Sequence, residues 1–350
     1  MMKRALMLGY FGAGNFGDEL ILNSFVEAYG DILKEKGFSV VLTVKSTPEE
    51  STVKTLARYF AGVEFVRVSP LLPYSVAVKN STHLIAPGGS LLQNKTSSRS
   101  LLLYLSVIRH FEKAGKPIFL LNQGLGPIYG YFWLRVVRHA LSGVTFFSAR
   151  DRKTAHFVAD LLPPEKTFLS SDVVFAAPPQ LDSSVAQSKE HDFAFVLKAT
   201  VDSPLLSSPD FPPEGNILVS AFQNVEWQNP RRVERLGRRF DAQSLPIAPP
   251  TEFVQRIGKC EVVFSERYHA LVLSLLAQVP FVGVGDDPKI VGFCEECNMP
   301  YFTGTRVTLT DMKNLKELAL SRFDRKAFAD SIEDFSSRHE AQKKILSRLF

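Results

Sequence analysis

Short apolar runs alternate with stretches of helical periodicity along the first half of the chain. Ala5–Tyr10, Ser39–Val44, Glu64–Val68, His83–Ala86, Pro117–Leu121 and Thr145–Ser148 are rich in branched and aromatic residues and mostly unbroken by charge. Amphipathic stretches lie between them at Glu19–Glu35, Glu49–Tyr59, Arg99–Ala114 and Tyr131–Leu141, and another helix is predicted over Asp151–Leu162. A strand with one wet face alternates apolar and polar residues, whereas one buried on both faces reads as a continuous apolar run. Unbroken apolar strands separated by helices therefore predict a parallel sheet covered on both sides.

The segment Pro178–Asp192 breaks the pattern with Pro-Pro, Ser-Ser and several charges, as an interdomain linker does. The alternation then restarts. Strands are predicted at Phe193–Leu197, Asn216–Phe222, Glu261–Phe264 and Pro280–Val284, and helices at Arg231–Phe240, Thr251–Gly258, Tyr268–Ala277, Lys289–Cys297 and Asp311–Leu320. A last helix over Arg325–Leu349 could cross back onto the first domain. The simplest architecture is α/β: two doubly wound, Rossmann-like domains facing a cleft. Their expected bounds are 1–177 and 193–324, with the linker over 178–192 and the terminal helix in 325–350.

Composition narrows the class. In 350 residues, 45% are hydrophobic and 22% charged, which is globular composition. The net charge of +5 favours anionic ligands mildly and lacks the dense basic stripe of a nucleic-acid binder. Cys260, Cys294 and Cys297 cannot build a disulfide framework, so a reducing, cytoplasmic setting is expected. The apolar run after Lys3 and Arg4 stops at Tyr10 and reads as a first buried strand, too short for a signal sequence. No stretch approaches the ~20 apolar residues of a spanning helix.

Gly12-Ala13-Gly14-Asn15-Phe16-Gly17 follows a strand and opens a helix, as a dinucleotide fingerprint does. Asp18 and Glu19 at the helix mouth would meet a pyrophosphate with two negative charges, and Val44-Lys45-Ser46 offers no carboxylate for a ribose. Two readings remain. The glycines could simply permit a tight turn, with Asp18 and Glu19 complementing the helix dipole. Alternatively Asn15 and Asp18 could bind neutral hydroxyls, and the loop would suit a sugar.

Ligands of open parallel sheets collect beyond the carboxyl ends of the strands. Four loops belong there: Ala86–Ser90, Asn122–Pro127, Ser148–Arg152 and Phe264–His269. Turn chemistry accounts for any one of them, but Arg150 and His269 are not turn residues. Cys294-Glu295-Glu296-Cys297 has metal-like spacing, yet a closed zinc site needs four ligands and no second pair exists, so two thiols on a packed helix are expected.

In these blocks the sequence resembles the polysaccharide pyruvyl transferases. Gly9–Leu20, Pro87–Gly89, Gln123–Pro127, Ala149–Asp151, Arg267–Ala270 and Asp287–Ile290 are similar to the family's motifs and follow its order. Ser90 and Gln93 stand where the family often has a glycine and an aspartate, and Lys198 where it often has arginine. The resemblance implies a glycosyltransferase-B-like pair of Rossmann-like domains, phosphoenolpyruvate as donor, and no metal or resident cofactor. It places Arg150, His269 and Lys289 on the donor, supported by Arg267. The first domain would take the acceptor, with Gly12, Asn15, Gly17, Asp18, Gly88, Gly89, Gln123 and Gly126 as candidate contacts.

The chemistry is consistent with those residue types. Phosphoenolpyruvate is a compact trianion, which a metal-free site must meet with cations and backbone dipoles. Histidine changes charge near neutral pH, so His269 is the candidate general acid. The acceptor implied is a sugar of a cell-wall polysaccharide precursor, lipid-linked, with N-acetylmannosamine as one candidate. A peripheral contact with the inner face of the plasma membrane is expected at Arg231–Phe240 or the aromatic run Tyr129, Tyr131, Phe132 and Trp133. The alternative is a nucleotide-sugar glycosyltransferase on the same fold.

Overall fold

The computed structural model describes residues 3–48, 50–179, 189–198, 203–211, 213–221, 243–245 and 250–350. Most of the predicted linker (180–188) and all of the predicted helix 231–240 lie outside them. The chain forms two compact units: Met1–Gly14, Asp18–Ala177 and Phe335–Phe350 make the first, and Asn15–Gly17 and Pro178–Asp334 the second.

The first unit is a seven-stranded parallel sheet in the order β3-β2-β1-β4-β5-β6-β7. Its strands are β1 (Lys3–Phe11), β2 (Phe38–Val44), β3 (Val63–Arg67), β4 (His83–Ala86), β5 (Ile118–Gln123), β6 (Phe146–Ala149) and β7 (Thr167–Leu169). Its helices are α1 (Phe16–Glu35), α2 (Glu50–Tyr59), α3 (Val76–Asn80), α4 (Ser98–Lys113), α5 (Tyr131–Ser142) and α6 (Arg152–Ala159). Both faces are apolar, which is why the strands carry no polar alternation. Leu6, Leu8, Leu84, Ile118 and Leu120 pack with Tyr104 and Phe111 of α4 and Val137 of α5. Their neighbours Ala5, Met7, Ile85, Phe119 and Leu121 pack on the other side with Leu22, Phe25 and Tyr29 of α1. Each fully buried leucine or phenylalanine contributes on the order of 1.5–3 kcal/mol.

The second unit carries a six-stranded parallel sheet in the order β10-β9-β8-β11-β12-β13. These are β8 (Phe193–Leu197), β9 (Ile217–Ala221), β10 (Gln243–Leu245), β11 (Val263–Ser265), β12 (Phe281–Val284) and β13 (Tyr301–Phe302). Among the described residues four helices serve it: α7 (Pro250–Gly258), α8 (Tyr268–Leu276), α9 (Pro288–Glu296) and α10 (Leu309–Arg322). The elements absent from the sequence reading, α3, β7, β10 and β13, have five residues or fewer, too short to show a period.

The terminal helix α11 (Arg325–Leu349) ends in the first unit, where Leu346 and Phe350 complete the core on the α1 face. It also brings two wholly buried polar side chains, His339 and Gln342. His339 Nε2 lies 3.0 Å from the Asp172 carbonyl and 2.9 Å from Ser171 Oγ, which itself donates to the Phe335 carbonyl. A carbonyl can only accept, so Nε2 carries the proton and Nδ1 accepts from Tyr29 Oη at 2.8 Å. Tyr29 Oη in turn accepts from Gln342 Nε2 at 3.0 Å, and Gln342 donates its second proton to Asn122 Oδ1 at 3.1 Å. One directional chain thus ties α11, α1, β5 and the segment after β7.

Burial lowers the His339 pKa to about 4, opposed by its bond to the Asp172 carbonyl. The unfolded chain therefore binds the proton first as pH falls, and stability present above about pH 6.5 is lost progressively down to about pH 4. The window is worth roughly 3 kcal/mol. Urea denaturation at pH 7 and pH 4.5 should show this loss, and His339→Gln should lower stability at pH 7 while flattening the slope; an unchanged slope would assign the loss to other groups.

Candidate active site

In the first unit the sheet order reverses between β1 and β4, which makes the loops after these strands the expected place for a ligand. Gly12 has φ +68°, and a Cβ there would lie 2.6 Å from the Ser46 carbonyl oxygen, so only glycine fits. Its N–H donates to Glu19 Oε1 at 2.6 Å, while Thr52 Oγ1 donates to Glu19 Oε2 at 2.8 Å. Glu19 is buried, and its carboxylate sets a negative charge inside the turn that Gly12 begins. The fingerprint is therefore a turn whose anion is built in. Asn15 Oδ1 accepts from the Gly17 N–H at 3.3 Å, closing the turn on itself.

The loops after β4 and β5 are laced together. Gly124 N–H donates to the Gly89 carbonyl at 2.8 Å, and Gly126 N–H to the Leu92 carbonyl at 3.0 Å. Gln123 is buried and its amide nitrogen lies 3.0 Å from the Leu121 carbonyl and 3.4 Å from that of Ala86. Gln123 thus holds the loop from beneath. Asn122 takes a left-handed turn at φ +52° and donates its N–H to Ser148 Oγ at 2.7 Å; past this irregularity β5 pairs with β6 again at Gln123, beyond the predicted Leu121.

Arg150 follows β6, and its guanidinium is almost wholly buried. Nη2 donates to Ser90 Oγ at 3.2 Å, and the Asp172 and Asp151 carboxylates lie at 3.7 and 3.9 Å. A Cβ on Gly124 would fall 2.5 Å from Arg150 Nη2, so this glycine leaves room for the cation. Asp151, the next residue, serves the following helix instead and caps α6 by accepting from the Thr154 N–H at 2.8 Å. Gly88, Gly89, Ser90, Gly124 and Arg150 therefore converge at the carboxyl ends of β4, β5 and β6.

In the second unit the order reverses between β8 and β11. Buried Glu266, after β11, ties the two loops: Oε2 accepts from the Lys198 N–H at 2.7 Å, and Oε1 from Ser203 Oγ at 2.6 Å and the Leu205 N–H at 3.2 Å. Arg267 Nη2 donates to the Lys198 carbonyl at 3.2 Å. Arg267 is the N-cap residue of α8, and His269 lies in its first turn. Asp287 caps α9 by accepting from the Lys289 N–H, Pro288 starts that helix, and Lys289 Nζ stands 3.5 Å from Asp287 Oδ2. Cys294 and Cys297 are buried, and burial pushes the Cys294 thiol up to about 12 and raises that of Cys297 as well. Among the described residues no group of three or more His, Cys, Asp or Glu side chains could hold a metal ion.

A family profile described as polysaccharide pyruvyl transferase matches residues 15–288. The chain belongs to this family. It is thus a transferase that moves a pyruvyl group to polysaccharide. Solved structures share the two-domain, glycosyltransferase-B-type fold. A UDP-N-acetylglucosamine 2-epimerase from Rickettsia bellii matches at 11% identity over 99% of this chain and 96% of its own, with a TM-score of 0.62. The Neisseria meningitidis UDP-GlcNAc 2-epimerase bound to UDP-GlcNAc matches at 9% identity over 99% and 100%, with a TM-score of 0.59. Anabaena HepE in complex with UDP-glucose gives 13% identity, 96% and 100% coverage, and a TM-score of 0.54. A search of curated proteins finds no match.

Among this pyruvyl transferase's site neighbours, sequence reasoning passed over Asp172 and Glu266. The signal for Asp172 was the polar Ser170-Ser171-Asp172 after the apolar pair Phe168-Leu169; for Glu266 it was a lone carboxylate between a strand end and a cation. Glu266→Ala should leave two backbone N–H groups and a hydroxyl without their acceptor, costing roughly 3 kcal/mol. Thermal melts should show a transition lowered by about 6–12 °C. Glu266→Gln, which keeps one acceptor oxygen, should lose less than half as much. Equal melts for all three proteins would dismiss Glu266 as the tie.

Proposed function

We propose that this transferase takes its pyruvyl group from phosphoenolpyruvate and sets it as a ketal on two hydroxyls of one sugar in a lipid-linked polysaccharide precursor. The carrying observation is Arg150, a guanidinium enclosed at the carboxyl ends of the first sheet and braced by Ser90 and Asp172. A braced planar fork suits a carboxylate or phosphate, because little freedom is left to lose on binding. Arg150, Arg267, His269 and Lys289 are the proposed donor-binding groups. The acceptor is proposed to meet Gly12, Asn15, Gly17, Asp18, Gly88, Gly89 and Gly126, with Gln123 supporting the loop. N-acetylmannosamine is the proposed acceptor sugar, and the cytoplasm, at the inner face of the plasma membrane, the proposed setting. Among the described residues, no helix is long and apolar enough to cross a membrane.

In the proposed reaction a proton adds to the donor methylene and leaves an oxocarbenium-like centre at C2. One sugar hydroxyl bonds to C2 and gives up its proton. The C2–O bond to phosphate breaks, and inorganic phosphate departs with one proton. The second hydroxyl closes the ketal and releases its proton, so two protons leave the sugar and two are taken up. His269 is proposed as the general acid. A second reading, a nucleotide-sugar glycosyltransferase, is favoured by the UDP-sugars named with the similar solved structures. The Glu19 carboxylate on the Gly12 amide counts against a diphosphate at that turn.

Thermal-shift titration should show stabilisation by phosphoenolpyruvate and none by UDP-N-acetylglucosamine; the reverse result selects the glycosyltransferase. Arg150→Ala and Lys289→Ala should weaken donor binding in calorimetry and slow phosphate release. His269→Ala should bind the donor only modestly less well while phosphate release falls by about 10²-fold or more. Near-normal turnover of that variant would remove His269 from the chemistry.

Phosphate release should also continue in EDTA, since no metal-ligand cluster is present among the described residues. Loss in EDTA restored by magnesium or manganese would count for the glycosyltransferase.

A further inference from the structure

The face of the first unit formed by α4 and α5 has an unusual surface. Tyr131 and Phe132, in the first turn of α5, are 79% and 68% exposed, and Tyr129, Leu102 and Tyr74 are exposed as well. These rings are held in place despite their exposure. Asn94 clamps the loop before α5 from both sides, Nδ2 donating to the Tyr129 carbonyl at 2.9 Å and Oδ1 accepting from the Tyr129 N–H at 2.7 Å. Phe132 packs edge-on against Trp133 at 5.3 Å, and Trp133 packs on the core.

Charge on this face is predominantly positive. From Ser98 to Ser142 the only carboxylate is Glu112, against Arg99, Arg109, Lys113, Lys116, Arg135 and Arg138. Arg109 engages Glu112 at 2.6 Å. Arg99, Arg135 and Arg138 are exposed, and Tyr131, Arg135 and Arg138 share one face of α5 at i, i+4 and i+7. The starts of α4 and α5 follow the carboxyl ends of β4 and β5, the edge where Ser90, Gly124 and Arg150 converge.

We propose that this face is a membrane-docking surface for an anionic lipid bilayer. Tyrosine and tryptophan rings, apolar in body and polar at the tip, suit the depth of the headgroups, and an excess of cations over carboxylates suits a negative surface. Docking there would bring the carboxyl-end loops of the first sheet to the bilayer, where a lipid-borne saccharide would be presented. The inference goes beyond the reading of the donor chemistry and does not depend on it, because its test uses no turnover.

The chain has two tryptophans, so Trp227→Phe leaves Trp133 as the sole reporter. With the full chain in that background, vesicles of phosphatidylcholine with phosphatidylglycerol should sediment the protein and shift Trp133 emission to the blue, and vesicles of phosphatidylcholine alone should do neither. Arg135→Gln/Arg138→Gln should weaken binding roughly thirty-fold, since each cation near such a surface is worth about five-fold. Tyr131→Ser/Phe132→Ser should lose the blue shift, with circular dichroism unchanged because both rings are exposed. Wild-type affinity in both variants, or no vesicle binding by the parent, overturns the proposal. So does a dimer in sedimentation velocity that Tyr131→Ser/Phe132→Ser abolishes while vesicle binding is absent, which would assign the face to a second copy.

Discussion

Asp172 joins the two halves of what the first unit has to do. Its backbone carbonyl receives the proton of His339, the end of a chain of hydrogen bonds running from Gln342 through Tyr29. Its carboxylate lies 3.7 Å from the Arg150 guanidinium. A buried cation is tolerable only with an anion beside it, and a buried anion holds its place only if its backbone is fixed. The terminal helix fixes that backbone, so a residue near the end of the chain decides where a guanidinium at the carboxyl end of β6 can stand.

The second unit uses a related device with the roles divided differently. Glu266 holds the loop after β8 by its N–H groups, and Arg267 holds the same loop by the Lys198 carbonyl. Two consecutive residues of opposite charge thus grip both ends of one peptide segment. Each interaction alone is modest, but each is buried or half-buried and charge-assisted, which makes it stronger than a neutral bond in water. In both units, buried carboxylates brace the loops that follow the strands flanking the reversal of the sheet or adjoining it.

Two sequence motifs have the spacing of a dinucleotide turn and of a metal site, and each has neighbours that suit that ligand poorly. The glycine fingerprint is closed by Glu19, whose carboxylate takes the Gly12 amide within the fold itself. The Cys294/Cys297 pair is buried, with thiols driven toward the neutral form by that burial. In each case spacing alone suggested that ligand, a pyrophosphate or a metal ion, and the three-dimensional neighbours count against it.

The strand and helix pattern was legible in the chain because parallel strands buried on both faces must be apolar at every position. His83–Ala86, Phe193–Leu197 and Arg325–Leu349 are read from the sequence with the bounds the structure has. The motif residues were legible too: Arg150, Arg267, His269 and Lys289 follow strand ends, where backbone leaves the sheet and side chains are not needed for the core. What tertiary structure alone decided is which buried polar groups support them. Asp172, Glu266, Tyr29, His339 and Gln342 are separated by tens to hundreds of residues from their partners, and a hydrogen bond leaves no periodic trace in sequence. Apolar burial repeats along an element and can be read locally; a directional bond between distant residues exists only once the sheet has brought them together.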